Sequence, residues 1–346
     1  MAAASPGQFN TYIPSTAATK NLVVDFSRNP KEFALPQYVQ YVNVDKNVGR
    51  YIEMTVEQAG RLLNADGSDM VWPDGQDAPE GAGNAELFEF KSYITTRYAR
   101  AFRVGELAAE QAAWDILAQN ARITSQLMMT LRTQKVMTLA QTTGNYPSGN
   151  TADLAGTNGI TGKHDVSTTA RKDIKRSLDY GADVIRRNTL GAVKPSDLIY
   201  VVSPGYARKV AVCQEIVDHI KGSPDAKKEI EDGLGPNSQY GLPSKLYGYP
   251  VRVEDAVKVT NRRGATKATS YICTDAKPML VSRPGELQGV EGSPSFSSIS
   301  LYFKEEMTVW SKHDTDNRNH KGRVVEDYAV VGTALMAAYL FQNAVS

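Results

Sequence analysis

The chain has 346 residues, a formal net charge of +1, 41% hydrophobic and 22% charged residues, and two cysteines. That length buries a substantial core and accommodates two or three structural units, and the composition is that of an ordinary folded protein. A near-neutral balance excludes a protein whose main task is to grip nucleic acid, because such domains carry a clustered basic excess. Cys213 and Cys273 lack metal-ligand spacing and imply no disulfide framework, which fits a reducing compartment.

Residues 1–45 show no sustained period and are punctuated by Pro6, Pro14, Pro30 and Pro36, so they read as an extended arm without a secretory signal. "NVGRYIEMTV" and "ELFEFKSYITTRYARAFRV" are rich in Tyr, Phe, Val, Ile and Thr and read as strands on either side of a polar loop. Residues 46–103 are therefore expected to form a two-stranded excursion, marginal in water unless something outside it supports it. From Glu106 to Thr143 there is neither Gly nor Pro. Ala113, Ile116, Leu117, Ile123, Leu127, Met128, Leu131 and Met137 recur at three- and four-residue steps, predicting one continuous helix capped near Gly144 and spanning about 57 Å. A second amphipathic helix is expected over 168–189, with Ile174, Leu178, Ala182 and Ile185 on one side. "DLIYVVS" reads as a strand leading into a helix over "PGYARKVAVCQEIVDHIKG", followed by turns and several strands. No residue from Tyr328 to Ser346 is charged, yet the apolar run is short, contains Gly332 and Thr333, and follows Glu326 and Asp327. That pattern predicts a buried strand continuing into a short helix and no membrane span.

Few motifs carry chemistry. "VVSPG" at 201–205 has Val201 where a nucleophile elbow needs a small residue and Pro204 directly after Ser203, so the serine reads as a helix cap. "HDTDNRNH" at 313–320 lacks the ligand and Gly positions of a calcium loop and reads as a polar turn. No phosphate-binding glycine loop, dinucleotide fingerprint or paired-Cys zinc pattern occurs, and no catalytic, metal or cofactor residue is assigned. Charge is more telling. From Leu62 to Phe90 there are seven acids (Asp66, Asp69, Asp74, Asp77, Glu80, Glu86, Glu89) and no Lys or Arg, after which Lys91, Arg97, Arg100 and Arg103 follow. Such sign-separated blocks suit contacts between subunits; on charge alone a solvated loop tip beside a basic strand fits equally.

The order of elements resembles the major capsid protein of tailed bacteriophages, the Hong Kong 97-type fold shared with encapsulin shells. The resemblance lies in four passages in family order. "VDKNVGRYIEM" through "ELFEFKSYITTRYARAFRVGELAAEQ" is similar to the extended loop, and "WDILAQNARITSQLMMTLRTQKVMTLA" to the spine helix. "DLIYVVSPGYARKVAVCQEIVDHIKG" is similar to the strand-helix step of the axial domain. "YGLPSKLYGYPVRVEDAVKV" with "HKGRVVEDYAVVGTALMAAYLFQ" resembles the closing strands.

The resemblance implies an α+β fold with an N-terminal arm (1–45), an extended β-ribbon loop (46–103), a spine helix in a peripheral domain (104–166), an axial α/β domain (167–292), peripheral strands (293–325) and a terminal strand returning to the axial domain (326–346). It also implies a non-enzymatic structural protein, without cofactors, that forms pentamers and hexamers in a shell assembled in the host cytoplasm and found in the virion. Packaged double-stranded DNA would be held by weak, non-specific contact, and scaffolding, portal and decoration proteins are the further partners. Only a short arm precedes the ribbon, whereas some relatives carry a long scaffolding segment there. The expected intersubunit contacts are Asp66, Asp69, Asp74, Asp77 and Glu80 with the apolar anchors Met70, Val71 and Trp72. Their expected counterparts are Arg97, Arg100, Arg103, Arg122 and Lys135 of an adjacent copy.

Overall fold

The structure is a computed structural model; it describes residues 33–53, 55–56, 72, 74–75, 89–111, 115–155, 162–233, 235–261, 264–283 and 297–346. In chain order the elements are α1 (Leu35–Tyr38), β1 (Gln40–Asn43), β2 (Val48–Glu53), β3 (Glu89–Ile94), β4 (Thr96–Gly105), α2 (Glu106–Gln111), α3 (Ile116–Ala140), β5 (Thr151–Asp153) and α4 (Asp173–Asn188). They continue with β6 (Leu198–Val202), α5 (Pro204–Ala211), α6 (Gln214–Gly222), α7 (Pro224–Glu231), β7 (Lys245–Leu246), β8 (Tyr249–Val253), β9 (Val257–Val259) and β10 (Thr269–Tyr271). The chain ends with β11 (Met279–Ser282), β12 (Ser300–Asp314), β13 (Asn319–Val331) and β14 (Ala338–Gln342). No helix among the described residues is long and apolar enough to cross a membrane.

A six-stranded sheet runs in the order β5-β14-β11-β6-β8-β7. Its central strands are buried on both faces, and alternate residues enter two different cores. Leu280, Tyr200, Tyr339 and Phe341 point into the core under α4. Met279, Val281, Val201 and Leu340 point into a second core shared with α1 and α3. The predicted stripe of α4 is the buried one: Ile174, Leu178 and Ile185 are inaccessible to solvent and Ala182 nearly so. Gly181 lets this helix approach the sheet, since a Cβ there would lie 3.1–3.2 Å from Leu280 and Tyr339.

A four-stranded sheet, β1-β12-β13-β4, forms the other half. β1 runs parallel to β12, and β12, β13 and β4 are antiparallel. The second core continues into it through Leu301, Phe303 and Tyr328 against Met137.

Four expectations need correction. The described end of the arm is extended only in part: a short helix, α1, with Pro36 in its first turn precedes the strand β1, and Phe33, Leu35, Tyr38 and Val39 are buried. The continuous helix over 106–143 is interrupted, because Asp115 adopts an extended backbone and accepts a 2.9 Å hydrogen bond from the Ala118 amide, starting α3 afresh. The 25 residues of α3 span about 37 Å. The helix after β6 is likewise two, α5 and α6, parted at Val212 and Cys213. Finally, the chain after Val331 makes a short 3-10 turn and then β14, an inner strand, where a short helix was expected.

Candidate assembly interface

The ribbon has two unlike faces. β2 pairs antiparallel with β3, placing Val48 opposite Ile94, Gly49 opposite Tyr93 and Tyr51 opposite Lys91. Alternation sends Tyr51 and Tyr93 to one side, where their rings lie 6.1 and 4.8 Å from that of Tyr302, over Ala329 and Val331. Gly49 is needed there, because a Cβ at this position would lie 2.5 Å from the Tyr93 hydroxyl. Lys91 and Glu53 form an ion pair across the ribbon. On the other side Val48, Phe90 and Ile94 are 59%, 57% and 67% exposed. Bare apolar side chains on a two-stranded element, itself marginal in water, make this face a candidate interaction surface.

The long strands also divide their faces. The face toward α3 carries Val324, Glu326 and Tyr328 of β13. Arg132 of α3, itself buried, pairs with Glu326, and its guanidinium lies 4.8 Å from the Phe303 ring centroid and 5.8 Å from that of Tyr328. Burial pushes the Glu326 carboxyl above its usual range, against the pull of Arg132. This pair explains why the buried face of α3 departs from the apolar stripe. That face includes Thr124, Arg132 and Thr133 beside Met128, Met129, Val136, Met137 and Ala140, while Leu127 is 46% exposed.

The opposite face of the same sheet holds the ribbon root at one end. Toward the β12–β13 turn it is uncovered: Trp310 is opposite Arg323, Lys312 opposite Lys321, and Lys321 opposite Arg103. The Arg323 guanidinium sits 4.8 Å above the Trp310 ring. Between ribbon and α3, where β4 begins, lies a groove of about 620 Å³ lined in part by Tyr93, Tyr98, Lys135, Leu139 and Val331.

The sequence-chosen cations occupy several surfaces. Arg97 and Arg103 lie on the ribbon-side face, and Arg97 is 3.7 Å from buried Asp327. Arg100 is opposite Val324 and so belongs to the α3-side face. Arg122 and Lys135 are exposed on α3, about 20 Å apart along it. Trp72 is 65% exposed and Asp74 is exposed. Asp66, Asp69, Met70, Val71, Asp77 and Glu80 lie outside the described residues. Sequence reading missed Lys312, Lys321, Arg323 and Trp310, although the two-residue spacing in "WSK" and "KGR" places each pair on one side of a strand.

The catalytic-looking motifs have structural roles. Ser203 caps α5 by accepting from the Tyr206 amide at 3.0 Å, and its hydroxyl donates to Asp275. "HDTDNRNH" is the turn of the β12–β13 hairpin, with Asp314 paired to Lys321. No cluster among the described residues has the makings of a metal site.

No family model and no curated protein matches the chain by sequence. Solved structures do match its shape. A phage-related protein from Bordetella bronchiseptica superposes with a TM-score of 0.62 at 13% identity, over 99% of each chain. The capsid protein of cyanophage P-SCSP1u gives 0.56 at 9% identity, over 99% of this chain and 96% of that one. The mature capsid of bacteriophage PhiM1 gives 0.54 at 11%, over 92% and 89%. Superposing over nearly its whole length on capsid structures, the chain has the fold of phage capsid proteins, the Hong Kong 97-type fold.

Proposed function

We propose that the chain is the major capsid protein of a tailed phage, assembling as pentamers and hexamers into an icosahedral shell that encloses a double-stranded DNA genome. The reading is carried by the ribbon, which projects a face with exposed Val48, Phe90 and Ile94 from a fold shared with phage capsids. Heterologous contacts that close make rings, and rings joined through ribbons close a shell. No single contact has to be strong, because many weak ones act together.

In this reading the protein is structural and non-enzymatic. Residues 46–103 form the extended loop, 104–166 with 293–325 the peripheral domain, and 167–292 with the strand of 326–346 the axial domain. The acids Asp66, Asp69, Asp74, Asp77 and Glu80 lie against cations of an adjacent copy, drawn from Arg97, Arg100, Arg103, Arg122 and Lys135, with Met70, Val71 and Trp72 as apolar anchors. A net charge of +1 fits a wall that confines DNA without binding it tightly. Scaffolding, portal and decoration proteins are the further partners, with assembly in the host cytoplasm and residence in the virion.

Negative-stain microscopy of the purified protein or its source particle tests the reading. Closed shells containing nucleic acid are expected. Shells that carry a co-purifying protein cargo instead would make it an encapsulin-type compartment, and a small monodisperse species that never forms shells would reject a shell role.

A further inference from the structure

We infer that the groove between ribbon and α3 seats residues 21–27 of the same chain's N-terminal arm, "NLVVDFS", as a strand added to the open edge of β13. The inference concerns the single subunit and does not depend on the proposed shell function. It also assigns Lys135 to a contact within the subunit rather than to an adjacent copy.

The edge is defined by strand register. β13 pairs with β12 as far as Val331, opposite Ser300, but with β4 only as far as Tyr328, opposite Thr96. Among the described residues, Ala329, Val330 and Val331 therefore have a strand on one side only, and no turn or loop backbone hydrogen bond takes the place of the other. An open edge is a template for an extended segment, and proteins normally cover it. The groove follows this edge: Tyr51 and Tyr93 of the ribbon line one wall, Lys135 and Leu139 of α3 the other, with Ala329 to Gly332 between them. Tyr328, which also lines it, and Thr95, where the ribbon turns into β4, carry buried hydroxyls without a hydrogen-bond partner, a state that native structures seldom leave unmet.

The occupant follows from place, reach and pattern. The described chain begins at Phe33, buried in the core that Tyr98, Leu139, Tyr328 and Val330 of the groove also join. β1 starts at Gln40 beside Ser300, at the Val331 end of the sheet. The line that β4 vacates lies three strand spacings, about 14 Å, from β1. The six steps from Ser27 to Phe33 cover about 20 Å when extended, so the arm reaches without a second copy. Between Pro14 and Pro30, "NLVVDFS" is the run that gathers β-branched and aromatic residues. As a strand it sends Leu22, Val24 and Phe26 to one face, toward the ribbon's tyrosines, and Val23 and Asp25 to the other. Val23 and Asp25 are then about 7 Å apart, close to the roughly 6 Å that separates Leu139 from exposed Lys135 along α3. The acid meets the cation where the valine meets the leucine.

The test uses the unassembled full-length chain. Heavy- and light-isotope copies are mixed and treated with a carbodiimide, which joins a carboxylate to a lysine amine in contact with it. A link between Asp25 and Lys135 confined to single-isotope products is expected. Its absence would overturn the inference, and so would a mixed-isotope link, which gives the groove to the arm of a second copy. Links from Lys135 to acids within 62–90 in its place would give the groove to the acidic stretch and overturn it equally. In parallel, V23P/V24P removes two adjacent amides, one of which must face β13 in any strand pairing. Hydrogen exchange over residues 328–332 is expected to rise at least tenfold in this variant with the circular dichroism unchanged, and V23I/V24I to keep the wild-type protection. Equal exchange in the proline variant and the wild type would overturn the inference and leave the shell function standing, since neither measurement requires a shell.

Discussion

The two larger sheets among the described residues end differently. In the six-stranded sheet, β11 is buried at every position and β14 at all but its last, so each residue has a core on one side or the other. In the four-stranded sheet, β12 starts equally buried at Ser300 and Leu301 but is exposed from Thr308 to His313. One sheet is completed by its own chain; the other begins in the core and runs out into solvent. A strand that leaves its core without fraying has pairing on both sides, here β13 and, through it, β4, and a purpose for the faces it carries outward. In the proposed shell, the first sheet would fold the subunit and the second would carry the surfaces that join subunits.

The two largest expected effects test whether each half has a core of its own. Arg132→Met leaves Glu326 buried without its counter-charge and should destabilise the unassembled subunit by about 3–5 kcal/mol in urea titrations. Combining Arg132→Met with Glu326→Leu, which removes both charges, should recover most of that loss, as buried pairs generally do when replaced by apolar groups of similar volume. Phe341→Ala in the other half removes a side chain enclosed by Tyr200, Tyr339 and His164. It should cost about 3–5 kcal/mol by the same measurement. If Phe341→Ala cost little, the six-stranded half would not be the self-contained one.

The halves were also unequally legible in sequence. α4 was readable because Ile174, Leu178, Ala182 and Ile185 recur at helical spacing on its buried face, with Asp173 and Ser177 as the polar members near its start, and β6 because it is a short apolar run buried on both sides. α3 was readable in existence but not in orientation: its buried face spends a position on Arg132, answered by Glu326 194 residues later, a pairing no local period reveals. The break at Asp115 hid because aspartate is tolerated within a helix and only its cap to Ala118 shows that one begins there. The arm's fold hid because proline punctuation marks where a helix starts, while the pairing of Gln40–Asn43 with β12 depends on residues 260 positions away. The basic face was invisible for the same reason: Arg103 and Lys321 are neighbours only through strand register.

A smaller effect, of pH, is expected at a buried imidazole of the six-stranded half. His164 is fully buried; Tyr200 donates to the Tyr206 hydroxyl at 2.6 Å, which leaves the Tyr206 proton for His164 Nδ1 at 2.6 Å and assigns the Nε2 proton to Ser177 at 3.0 Å. Burial pulls this imidazole down to about 3. Its folded value lies below the unfolded one, near 6.5, so the unfolded chain takes up the proton first. The contribution is intact above that pH and is lost as pH falls toward the folded value. Between pH 7 and 4.5 it should cost about 2–3 kcal/mol. Urea titrations of the wild type and His164→Asn at both pH values isolate it, because the variant should lack that part of the slope.

The smallest effect on the subunit is expected where the effect on the particle is largest. Phe90→Ser with Ile94→Ser changes side chains that are more than half exposed, so the isolated subunit should keep its stability within about 0.5 kcal/mol. The residues sit on a ribbon whose other face is anchored: Tyr93, from the same strand, is stacked on Tyr302 with planes 7° apart. Tyr93→Ala should therefore destabilise the subunit in the same urea titration that the double serine variant leaves unmoved. In assembled shells the order reverses if the outer face is buried on a neighbour, because each copy then loses two apolar contacts and the loss is repeated around every ring. A lower melting temperature of shells built from the serine variant, beside an unchanged urea midpoint of its subunits, is the expected pair of readings. Equal shell stability would mean that the outer ribbon face stays in solvent after assembly, and the division between folding half and joining half would have to be drawn beyond the ribbon.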